Sequence, residues 1–144
     1  MPHTGEDLRQ LMEVKIYDSP ASRLLGWKCL DVDPEIGRIT TQFKAKEEFI
    51  NPGGAIQGGF LSAMLDNTVS PALYSNLEPD QYAVTLDMNV SYIQAAKTGT
   101  LNGHGRVVRR GKSIAFLAGE LKTPDGELIA TATATARIVD LKKD

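Results

Sequence analysis

Cysteine is almost absent: Cys29 is the only one in 144 residues, so no disulfide can close within the chain, and a reducing compartment suits it. A lone thiol is usually a buried small hydrophobe, and that is the role expected of Cys29. Histidine is nearly as scarce. His3 and His104 are the only two, and neither stands at a spacing to Cys, Asp or Glu that would make a metal site. No long run of one charge occurs and the net charge is -2, which removes the basic stripe a nucleic-acid binder needs. No window approaches the roughly 18 apolar residues of a membrane span. The opening MPHTGEDLRQ carries acids where a signal peptide would carry an apolar core. The expectation is a cytoplasmic protein without nucleic-acid or membrane partners.

Two enzyme signatures are missing as well. There is no G-x-S-x-G elbow to expose a serine nucleophile. Gly103-His104-Gly105 begins like a dinucleotide fingerprint, but its sixth position is Val108 and the segment reads as strand. His104 is therefore expected to be an ordinary strand residue. Internal repeats, low-complexity segments and linkers are absent too.

What is present is a globular composition, 42% hydrophobic and 24% charged, in a length suited to one domain over residues 1–144. Leu8, Leu11, Met12 and Ile16 recur at helical spacing and predict an amphipathic helix at about 5–17. Ser19-Pro20 starts a short helical turn, and the core of the domain is expected at about 27–139. Strands are predicted at about 27–33 and 37–44, split by the turn Asp33 to Gly37.

The glycine-rich NPGGAIQGG (51–59) then runs into FLSAMLDNTVSPALYSNL (60–77), apolar around most of its circumference, which predicts a helix enclosed by protein. Pro71 removes a backbone donor and predicts a kink or a broken last turn near 67–71. Val84, Leu86, Met88, Val90 and Tyr92 alternate with polar residues, a period of two that predicts a strand over 84–92. Three more strands, at about 100–110, 113–123 and 128–139, are joined by Gly111-Lys112 and Pro124-Asp125-Gly126. In the last, alanines at 130, 132, 134 and 136 make a small-residue face on which the apolar helix can pack. The pattern is α+β: a strongly curved antiparallel sheet wrapped around one central apolar helix.

An aspartate in the middle of that helix demands a reason, because a buried carboxylate without partners costs several kcal/mol. Asp66 is that residue, and Ser62 and Ser70, four residues to either side, share its face. Residue chemistry alone fits a carboxylate that orients packing equally well as one that works. Gln57-Gly58-Gly59 at the helix start leaves N–H groups without intrahelical acceptors, aimed by the helix dipole at whatever carbonyl or oxyanion approaches. Such donors are worth on the order of 3 kcal/mol in a transition state. By itself the loop reads first as a tight turn that merely caps a helix, since a lone glycine loop is a weak signal. Asp66 lies eight residues past Gly58, about 12 Å along the axis at about 1.5 Å per residue. One chain cannot bring both to one carbonyl, so cooperation requires a two-fold homodimer with antiparallel helices.

The series Asn51, Gly54, Gln57-Gly58-Gly59, Asp66, Asp87-Met88-Asn89-Val90 and Gly111-Lys112 resembles the hotdog-fold acyl-CoA thioesterases of the phenylacetate-degradation type, within the wider 4-hydroxybenzoyl-CoA thioesterase superfamily. The likeness covers about 30–138. It implies hydrolysis of acyl-CoA to acid and coenzyme A, with no cofactor beyond the substrate's own coenzyme A and with a homo-oligomer, at least a dimer and by analogy a tetramer. By the same resemblance Gly58 N–H polarises the thioester carbonyl, Asp66 of the partner activates water or attacks directly, Asn51 helps hold water or carbonyl, and Thr85 assists the carboxylate. Gly59 and Ser70 fall on the substrate side. Where the family usually has His, this sequence has Gln57, which hydrogen-bonds but cannot titrate. The cluster Arg109, Arg110, Gly111, Lys112 and Ser113 reads by itself as a solvated hairpin tip; with the resemblance it suits the phosphates of coenzyme A, in a contact that salt weakens. Phe60, Met64, Tyr74, Met88 and Tyr92 are candidate pocket walls, open to aromatic or medium-chain acyl groups. Two rival readings use the same residues: an acyl-CoA sensor that does not cleave, and a hotdog dehydratase or hydratase, which the Gln at 57 disfavours.

Overall fold

The alternation seen in the sequence produces six strands in the computed structural model, which describes residues 19–141. They are β1 (Lys28–Asp33), β2 (Arg38–Ala45), β3 (Gln81–Tyr92), β4 (Gly99–Arg110), β5 (Ile114–Lys122) and β6 (Leu128–Asp140). Each lies within three residues of its expected ends. All neighbours pair antiparallel in one sheet of order β1-β2-β4-β5-β6-β3, so β1 and β3 are its edges. Helix α1 (Pro20–Leu25) is the short turn at Ser19-Pro20, with Ser19 Oγ capping Ser22 N–H at 3.0 Å. The helix expected at about 5–17 falls outside the described residues.

Helix α2 (Gly58–Tyr74) starts two residues before the predicted point and lies across the sheet. Its Leu61, Met64 and Leu65 are buried with Trp27, Phe43, Phe49, Leu101, Leu121 and Ile129. Val69 and Leu73 pack on Ala115, Leu117, Ala134 and Ala136, so the alanine face of β6 does receive the helix. Phe60 stacks on Phe49 with ring centroids 4.1 Å apart. Cys29 is buried, as expected.

The helix is seated against the sheet through glycines. A Cβ at Gly105 would lie 2.6 Å from the Thr68 carbonyl oxygen, and one at Gly103 would lie 2.4 Å from Thr68 Oγ1. Thr68 is fully buried and shares a 2.8 Å hydrogen bond with Thr41 across this contact.

Pro71 does not break α2, which continues to Tyr74. Proline has no N–H for the carbonyl four residues back, and that carbonyl belongs to Asn67. Trp27 supplies the missing donor: its indole Nε1–H reaches Asn67 O at 2.8 Å. Asn67 Nδ2 also donates to Ser22 Oγ at 3.0 Å, tying α1 to the helix beside Asp66. We expect Trp27→Phe to lower the free energy of unfolding in urea by about 2 kcal/mol, because a buried carbonyl is left without a donor. A loss below about 0.5 kcal/mol would mean that Pro71 is tolerated for another reason.

Among the described residues the helix is enclosed on the sheet side only. Ser62, Ala63, Asp66, Asn67 and Ser70 are half-buried and Gly59 and Tyr74 exposed, so the polar stripe marks an open flank. Beside that flank runs the edge strand β3, whose register shifts between Thr85 and Asp87. The shift is a β-bulge, and it exchanges the two faces of the strand. Before it, Ala83 and Thr85 stand opposite the buried Ile138 and Ala136; after it, Met88 and Val90 stand opposite the buried Ala134 and Ala132. Val84 and Leu86, which a strict alternation would group with Met88, are left 45% and 55% exposed.

Candidate active site

Three side chains meet on the open flank of α2. Ser70 Oγ donates to Asp66 Oδ1 at 3.2 Å, and Thr85 Oγ1 donates to the same oxygen at 3.1 Å. The two hydroxyls are 3.4 Å apart, closing a triangle. Ser70 is there by helical spacing, one turn beyond Asp66. Thr85 is there because of the bulge, which turns it toward the helix. Among the described residues no side chain donates to Asp66 Oδ2, so one oxygen is held and the other is left for a ligand.

The glycine loop is folded by Asn51. Its Oδ1 accepts from Gly53 N–H at 2.9 Å and Ala55 N–H at 3.2 Å, while its backbone N–H donates to Ala55 O at 2.8 Å. Gly54, at φ 87°, takes the left-handed conformation this turn needs. Asn51 thus builds the loop through its oxygen, leaving its amide NH2 for a ligand. Gln57 N–H donates to Phe49 O at 2.8 Å, fixing the loop's exit. Gln57 is the N-cap residue but gives no side-chain cap, and its side chain is exposed. The first N–H groups of α2, at Gly58 and Gly59, therefore lack both an intrahelical acceptor and a side-chain cap.

The basic cluster lies at the β4–β5 turn, by the C-terminal end of α2. Arg109, Lys112 and Ser113 are exposed. Arg110 is occupied: its guanidinium binds Asn76 O just past the helix and Gln81 Oε1 at 2.9 Å, clamping α2 to the start of β3. Gly111 N–H is likewise engaged by Ile114 O at 2.7 Å. His104, as expected, is an exposed strand residue, and no group of three His, Cys, Asp or Glu among the described residues could hold a metal. An open groove of about 750 Å³ lies on the outer face of the sheet, lined by Arg38, His104, Arg106 and Glu120 among others. No residue assigned to the site lines it, and its position against the solvent face of the strands gives it no part in this chemistry.

Sequence reasoning missed two contacts, Trp27 with Asn67 and Tyr92 with Ser62. The first had a signal: a proline four residues after Asn67 and a tryptophan that needs an acceptor when buried.

A carboxylate held by two hydroxyls and a glycine-started helix on a curved sheet can be set beside known proteins. The thioesterase superfamily model matches residues 53–130, from the glycine loop into β6. The chain belongs to the thioesterase superfamily. The thioesterase is 29% identical over 142 residues to human acyl-coenzyme A thioesterase 13, spanning 96% of this chain and 99% of that protein. It is 37% identical to a phenylacetic acid degradation-related protein from Ralstonia eutropha JMP134, whose crystal structure matches with a TM-score of 0.82 over 90% of this chain and 98% of that one. The E. coli PaaI protein from the phenylacetic acid degradation operon shares 16% identity and the same fold, with a TM-score of 0.84 over 95% and 96% of the two chains. The six-stranded curved sheet around α2 is thus the hotdog fold, and the protein is a thioester hydrolase. Among the described residues no helix is long and apolar enough to cross a membrane.

Proposed function

We propose that this thioesterase hydrolyses acyl-coenzyme A, with Asp66 of one subunit and Gly58 N–H of another acting on the same carbonyl. The observation that carries the reading is the Asp66–Ser70–Thr85 triangle on the open flank of α2, with no side chain among the described residues donating to Asp66 Oδ2. Human acyl-coenzyme A thioesterase 13, related over nearly the whole chain, supports the substrate class.

The edge strand supports the subunit arrangement. β3 is 12 residues long and among the described residues pairs on one side only, with Val84, Leu86 and Tyr92 exposed along it. A long unpaired edge of this kind is a template for another strand. Pairing β3 with its two-fold copy continues the sheet and lays the two α2 helices side by side and antiparallel. Ser62, four residues from both Gly58 and Asp66, then falls at the axis, and each Asp66 faces the other subunit's Gly58.

Water bound at Asp66 Oδ2 gives up a proton to the carboxylate as its oxygen attacks the thioester carbon. The carbonyl oxygen, now anionic, is held by Gly58 N–H, and the intermediate collapses with cleavage of the carbon–sulfur bond. The proton on Asp66 passes to the departing thiolate, releasing acid and coenzyme A. A thioester lacks the resonance of an amide, so a carboxylate, a water and one aimed dipole suffice without a cofactor. The exposed Arg109 and Lys112, at the C-terminal end of the helix that carries Asp66, are available to the coenzyme A phosphates.

The test is thiol release from short, medium, long-chain and aromatic acyl-CoAs, followed by subunit mixing. Asp66→Asn and Gly58→Val are each expected to be inactive. Refolded together in equal amounts they should recover about a quarter of wild-type activity, since half the dimers are mixed and each mixed dimer has one intact site. Binding without thiol release from any substrate would identify a sensor, and inactive variants that gain nothing on mixing would place the site within one chain.

A further inference from the structure

Tyr92, the last residue of β3, belongs to neither the carboxylate triangle nor the glycine loop, yet it stands against the start of α2. Past the bulge the alternation of β3 turns it to the helix side, opposite the buried Ala130. Its phenol oxygen is 2.6 Å from Ser62 Oγ. Its ring lies on the first residue of α2: a Cβ at Gly58 would sit 3.0 Å from both Cε1 and Cζ, whereas one at Gly59 would meet nothing. A side chain at 58 would therefore make this ring give by a few tenths of an ångström, and the ring screens one side of the Gly58 peptide. Even so, Tyr92 is 53% exposed. A side chain that only pinned β3 to α2 would be expected to bury more of its ring.

We propose that Tyr92 is a substrate-positioning residue for thioester cleavage, its ring forming a wall of the carbonyl subsite at Gly58 and its phenol held in place by Ser62. The inference rests on the cross-subunit reading above, in which Gly58 faces the partner's Asp66 with Ser62 at the axis between the two sites. An aromatic wall beside a backbone donor does two things. It keeps water off the developing oxyanion, which strengthens the hydrogen bond from Gly58, and it limits the directions from which the carbonyl can enter. The Ser62 bond matters because a tyrosine this exposed has no close packing to fix its ring. The coenzyme A end of the substrate is bound elsewhere, so loosening the wall affects turnover and leaves substrate affinity alone.

The experiment compares Tyr92→Phe, Ser62→Ala and the double variant with wild type, reading kcat, KM and Tm on the best acyl-CoA. Each single variant is expected to lose about tenfold in kcat with KM within about twofold, because a small misplacement at the reacting carbonyl is costly. The double variant should lose no more than either single one, as residues that act through one bond are not additive. Tm should not follow kcat across the set. Tyr92→Phe with wild-type kcat would overturn the proposal, as would losses confined to KM or losses that track Tm. If Tyr92→Phe unfolds, Ser62→Ala decides alone, since it leaves the ring in place. Wild type that releases no thiol in the same assay refutes the hydrolytic reading itself, and this inference with it.

Discussion

Asp66→Asn should lower kcat for acyl-CoA by about 10²- to 10⁴-fold while leaving binding within a few-fold, the range expected when a general base is removed. The substitution isolates the chemistry. Asparagine has the same shape and keeps a carbonyl oxygen where Oδ1 stands, so the hydroxyls of Ser70 and Thr85 still have their acceptor. What disappears is the second carboxylate oxygen, the one without a side-chain donor, and with it the proton acceptor for water. Stability should change little, because the residue is half-buried on an open flank. Steady-state thiol release alongside calorimetric titration with a non-hydrolysable thioether analogue measures both quantities. A variant that retains a third of wild-type kcat would remove Asp66 from the reaction and leave its hydrogen bonds as a packing device.

Gly105→Ala should be the most damaging single methyl group in the fold. The added carbon would lie 2.6 Å from the Thr68 carbonyl oxygen and 3.0 Å from its carbon, so backbone must move. Overpacking of this kind costs about 1–3 kcal/mol, which lowers Tm by about 5–10 °C in a domain of this size. Thr68 is two residues from Asp66 on the same helix, so kcat should fall as α2 lifts from the sheet. Gly59→Ala is the contrast: nothing lies within 4 Å of its Cβ, and thermal unfolding should be nearly unchanged. Equal Tm values for the two would show that the glycines of β4 do not set the height of the helix.

Much of this was legible in the sequence because period and composition report local structure directly. The six strands, the central helix and the pairing of Asp66 with Ser70 follow from spacings of two and four residues. The bulge at Leu86 was not, since alternation places Val84 and Leu86 with Met88 and only the register against β6 separates them. Pro71 misled for a related reason: the remedy for its missing donor is Trp27, 40 residues from Asn67 and joined to it only by folding. The basic cluster reads in sequence as one unit, yet the Arg110 guanidinium is engaged by Asn76 and Gln81, partners 34 and 29 residues away that only folding brings to it.

The bulge in β3 stores its information as a count of residues. Thr85 faces Asp66 while Met88 faces the core because one extra residue separates their two phases, and what that residue is matters less than that it exists. Leu86 is exposed within its own chain, so substituting it leaves the core of the domain untouched. Deleting it would turn either the threonine or the core residues to the wrong side. Lineages of such a protein can thus vary in letters at this point and hardly at all in length.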